Sequence, residues 1–163
     1  MNAWARHLLV ATTLLPMLAG AAHAQKLTLS TTAGNPVAFP TPTETDYDNG
    51  SVAATAALAF TLDLLGGGGA GVNRHGILSI RASSAVMGGT KPIGALEWRR
   101  SDLATWNSLT TADVQVESRA MMKSTLNDPW SNSIFFRTLL SWANDGPATY
   151  TPTIIITATL TTP

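Results

Sequence analysis

A chain of 163 residues with ten basic and ten acidic side chains is sized for one domain and offers no basic face to nucleic acid. It contains no cysteine. That excludes a disulfide framework, a thiolate nucleophile and a cysteine-ligated metal, and leaves the apolar core to hold the fold together.

Met1 to Arg6 carries one positive charge, His7 to Ala22 is an apolar run, and Ala22-His23-Ala24 supplies small residues around a cleavage point before Gln25. A charged start, a short apolar core and an A-x-A site form a secretory signal, so residues 1–24 are expected to be removed and residues 25–163 to form one exported domain. Pro16, Gly20 and the short core argue against a membrane-spanning helix. The chain is expected at the periplasm, the cell surface or outside, with His75 as its one remaining histidine.

Lys26 to Thr32 alternates and suits a first strand at an edge. Asn35 to Pro42 holds three prolines, which cannot donate to a ladder, so an edge strand or extended linker is expected, with Phe39 as a plug in the core. Thr43 to Gly50 (TETDYDNG) reads as a turn. Its Asp46 and Asp48 are calcium candidates, although counting from Asp46 puts Ser51 and Ala57 where an EF-hand needs glycine and a carboxylate. Ser51 to Leu65 permits helix by its alanines, but Val52, Ala54, Ala56, Leu58, Phe60, Leu62 and Leu64 share one parity, which favours a strand. Gly66 to Gly71 spells GxGxxG within a glycine run. It has no terminal GK[ST] and is followed by strand-like sequence, so a hairpin tip is expected in place of a phosphate cradle.

Gly76 to Ala85 alternates with its apolar residues at even positions, and Ile93 to Arg100 resumes extended structure with Leu96 and Trp98 on one face. Ser101 to Thr111 is expected to form a short capped helical turn that carries Leu103, Trp106 and Leu109 inward. Val114 to Ala120 alternates. Asn127-Asp128-Pro129-Trp130 reads as a turn bearing an exposed or edge-packed tryptophan.

Ser133 to Pro163 is the strongest pattern. Ile134, Phe136, Leu140 and Trp142 share a parity that Thr138 interrupts. Tyr150, Pro152, Ile154, Ile156, Ala158 and Leu160 alternate with threonines. With Asn144-Asp145-Gly146-Pro147 between them, the two runs predict a terminal hairpin inside a sheet. Phe135, Leu139 and Ile155 are apolar on the opposite parity and are candidates for contact with another chain. The fold class expected is all-β: an antiparallel two-sheet sandwich, Ig-like or pilin-like, with seven to nine strands and at most one short helix.

Catalytic signals are sparse. No GxSxG elbow accompanies His75, and Glu97, Asp102, Asp113 and Glu117 carry no motif that pairs them for glycoside hydrolysis. No cofactor is implied. Trp98 and Trp142 fall on core parities and Trp106 shares a face with leucines, which leaves Trp130 as the candidate for sugar stacking.

Asp145-Gly146-Pro147-Ala148-Thr149-Tyr150, followed by alternating threonine and isoleucine, resembles the closing strand of secreted bacterial pilin-like sandwiches, the spore coat protein U and fimbrial-type families. The resemblance covers about the last twenty residues, together with the signal segment and the strand number. It implies an extracytoplasmic subunit of pili, adhesion or biofilm structures, with itself or other surface subunits as partners, joined by β-strand addition. Gln25 to Pro42 is the candidate donor arm. A secreted carbohydrate-binding module is the alternative expectation, and a secreted hydrolase the third.

Overall fold

The computed structural model describes residues 26–31, 37–65, 74–121, 129–145 and 150–161. The signal segment, the glycine run and residues 122–128 lie outside the described residues. Nine strands are described: β1 (Lys26–Thr31), β2 (Ser51–Ala53), β3 (Leu58–Leu65), β4 (Arg74–Ala82), β5 (Leu96–Arg100), β6 (Asn107–Ser108), β7 (Val114–Met121), β8 (Trp130–Leu139) and β9 (Ile154–Thr161). One short helix, α1 (Glu44–Asp48), precedes β2, and a single 3-10 turn, Ile93–Ala95, leads into β5. The strands form two antiparallel sheets, as the alternation predicted.

The larger sheet runs β1-β3-β8-β5-β6, with β2 also paired to β8. The smaller runs β7-β4-β9. Even-numbered residues of β3, β4, β5 and β8 point between the sheets, where Phe60, Leu62, Leu78, Ile80, Leu96, Ile134 and Phe136 are almost wholly buried. Leu27, Leu29, Phe39 and Leu160 are partly buried against the same cluster. This single core fills the space between two apolar sheet faces, as face-to-face sheet packing requires.

Ser51 to Leu65 is extended, as its parity indicated, but broken. Ala53 lies opposite Arg137 and Leu58 opposite Ile134, so five residue steps on one strand span three on the other. The two extra steps preserve parity, which is why Val52 and Phe60 both face inward across the break. Val37 to Pro42 runs alongside that break, where the carbonyl of Ala38 accepts from both the amide (2.9 Å) and the hydroxyl (3.2 Å) of Thr55.

Two expectations need correction. Ser133 to Pro163 is not a hairpin: β8 is internal to the larger sheet and β9 is an edge of the smaller, paired to β4. The connection is an arch between sheets, because the inward face of each strand completes a different side of the core. Ser101 to Thr111 forms no helix. It makes a turn and then extends as β6 against Glu97 and Trp98, with Leu109 buried and Leu103 45% exposed. The helix lies instead at Glu44–Asp48, where Thr43 and Asp46 form a reciprocal capping box.

Candidate functional site

Cysteine-free, the sandwich is closed at its two ends by ion pairs. At one end a register shift in β7 opposite Leu78 and Ser79 sets Glu117 across from Leu78 and Arg119 across from Gly76, on the parity that faces the other sheet. There Glu117 accepts from Arg100 of β5, and both Arg100 and Arg119 lie within about 6 Å of the Trp130 ring. Arg100 also donates to both carboxylate oxygens of Asp102, at 2.8 and 2.6 Å. These bonds, with a further one from Asn132, pull the Asp102 carboxyl from the ordinary 3.8 to about 2. At the other end the Lys91 ammonium meets Asp145 at 2.5 Å, with 4% and 6% of the two side chains exposed. The second oxygen of Asp145 accepts from the amide of Ser141, and Lys91 sits 5.3 Å from the centre of the Tyr150 ring. Burial pushes the Tyr150 phenol up, and Asp145 and Tyr47 add to the effect.

Three surfaces are open to solvent among the described residues. The first is the outward face of the larger sheet, where Phe135 and Leu139 are 36% and 37% exposed. The Arg99 guanidinium lies 4.9 Å from the Phe135 ring and 5.0 Å from Trp106, and Arg137 lies 4.5 Å from the same indole. Arg137 donates to Glu97 at 2.6 Å. The result is a column, Phe135–Arg99–Trp106–Arg137–Glu97, in which each cation rests on a ring. Ile155 does not join it. It pairs with Arg81 in the other sheet, on the far side of the molecule.

The second surface is α1 with the turn that follows β8. Tyr47 and Trp142 are stacked with centroids 4.5 Å apart and planes 28° off parallel. The Trp142 indole N–H donates to Asp48 at 3.2 Å. Trp142 is 62% exposed, which corrects its expected place in the core: the strand ends at Leu139 and the chain turns away after Leu140. Beside this lies a cavity of about 190 Å³ lined by Phe39, Pro40, Thr41, Pro42, Val52, Thr138 and Tyr150. The calcium candidates are engaged by the protein itself. Asp46 accepts from the amide and hydroxyl of Thr43, bonds that lower its pKa, and Asp48 holds Trp142. No group of three His, Cys, Asp or Glu side chains gathers for a metal among the described residues.

The third surface is an edge. β1 is the outermost strand of the larger sheet and is paired to β3 from Lys26 opposite Leu65 to Thr31 opposite Phe60. In the remaining described part of the candidate arm, residues 37–42, Phe39 packs against the core and Ala38 is bonded to Thr55.

Trp130, expected in a turn and either exposed or edge-packed, is 9% exposed and packs edge-on against Phe60 at 5.0 Å. It begins β8 on the inward parity, and its burial removes the basis for sugar stacking there. The carboxylates weighed for acid–base chemistry all meet arginines: Glu97 meets Arg137, Asp102 and Glu117 meet Arg100, and Asp113 meets Arg81. His75 lies within β4, opposite Thr161. Comparison with protein-family models, curated proteins and solved structures returned no match for this chain.

Proposed function

We propose that this chain is an exported, non-enzymatic subunit of a bacterial surface structure, of the pilus or biofilm type, that assembles by exchange of its first strand. The observation that carries assembly is the position of β1. It is a six-residue strand, the first of those described, at a sheet edge and hydrogen-bonded to one neighbouring strand, and it contributes Leu27 and Leu29 to the core. An edge strand of this kind is replaceable by the same strand of another copy, because the backbone ladder and the leucine spacing would be identical. Phe39 and Ala38 are anchored on the far side of residues 32–36, so the donor is Lys26–Thr31 and not the whole proline-bearing stretch. A structural role is also favoured by Glu97, Asp102, Asp113 and Glu117, which are engaged by arginines and so are poorly placed to exchange protons with a substrate.

Light scattering on the exported chain, with and without Lys26–Thr31, tests this. The intact chain is expected to form oligomers that the truncated chain cannot. A monomer in both forms would contradict exchange.

A further inference from the structure

We propose that the Tyr47–Trp142 stack is a binding platform for a neutral saccharide, with Trp142 as the surface on which a pyranose ring lies. This site is independent of strand exchange and stands whether or not β1 leaves its sheet. Trp142 is the most exposed of the large apolar side chains among the described residues, at 62%, yet it is not loose. One face rests on Tyr47 and its indole N–H is held by Asp48, so the ring is oriented before any ligand arrives and little ordering is left to be lost on binding. The outer face of an aromatic ring is electron-rich and meets polarised C–H groups well, which is what the apolar side of a pyranose presents.

The surroundings select the ligand class. Glu44, Asp46 and Asp48 all lie on the five-residue α1, so an anionic glycan or a phosphate chain would be repelled. A quaternary ammonium group calls for rings on several sides. Tyr47 and Trp142 are stacked on each other and form a single flat face, not a cage. The cavity at the same end is lined by Pro42, which lies just before the Thr43 cap of α1, and by three residues with hydroxyl groups, Thr41, Thr138 and Tyr150. A saccharide of more than one unit therefore has a second polar recess within the same end of the sandwich.

The test uses the exported chain labelled with nitrogen-15, following the indole N–H signals of its tryptophans during titration with maltotriose, cellotriose, chitotriose and mannotriose. Polygalacturonate and tetramethylammonium serve as anionic and cationic probes. At least one neutral trisaccharide is expected to shift the Trp142 signal at up to about 10 mM. Trp142→Ala is expected to weaken that binding at least about tenfold, while Trp106→Ala leaves it unchanged. Trp142 is largely exposed, so the variant should fold, which circular dichroism checks. The proposal is overturned if no neutral probe moves the Trp142 signal, if binding survives Trp142→Ala, or if only the anionic or the cationic probe binds.

Discussion

Asp102 is half exposed yet held by two bonds from Arg100 and one from Asn132. Its pKa in the folded chain is about 2 against an ordinary 3.8, so over that interval the unfolded chain binds more protons than the folded one. Its contribution to stability is therefore complete above 3.8 and is lost as pH falls toward 2. Asp46 acts in the same direction through its cap on α1. Denaturation followed across this acid range should show stability falling with pH, and Asp102→Asn should make the fall shallower. An unchanged slope in the variant would mean that the bonds to Arg100 are lost in solution. Single residues were the hardest features to foresee. Trp142 is exposed where the core was expected, and Trp130 is buried where a turn was expected, because alternation marks a face only while a strand lasts. Trp142 lies three residues past the end of β8, and Trp130 begins a strand where Asn127-Asp128-Pro129 suggested that a turn continued.

At the scale of elements, alternation was legible almost everywhere and partnership was not. The even parities of Ser51 to Leu65 and of Gly76 to Ala82 gave the buried faces directly. The break at residues 54–57 left that parity intact, so it was invisible in the pattern. The two terminal strands read as a hairpin because a turn between alternating runs looks the same whether the strands pair or arch between sheets. The arch is tied down by Lys91 and Asp145, side chains that no local pattern connects. Lys91 lies in the bend whose bridge joins Val86 to Pro92, and Asp145 in the turn after β8. Because both are buried, removing one strands the other. Asp145→Ala should cost about 3–5 kcal/mol in urea denaturation, whereas Lys91→Met with Asp145→Leu should cost clearly less. Equal losses in the two variants would show that the pair is not desolvated in solution.

For the whole molecule, composition excluded disulfides while alternation and turn spacing indicated the sandwich, and the structure supplies what stands in place of disulfides: one continuous core, an arginine–carboxylate clasp at one end and a lysine–aspartate pair at the other. The outward faces carry separate surfaces, the arginine–aromatic column on the larger sheet and the Tyr47–Trp142 stack beside α1. The β1 edge is the one proposed for assembly. The absence of native cysteine makes its exchange directly measurable. Ser30 and Thr61 lie opposite each other in the β1–β3 ladder, so a chain carrying Ser30→Cys and Thr61→Cys can be oxidised and run on a non-reducing gel. If β1 is donated to a neighbour, the disulfides join different chains and a ladder of covalent multimers appears, which reduction collapses. If oxidation yields only internally bridged monomers, β1 stays at home and the account of assembly by strand exchange is wrong.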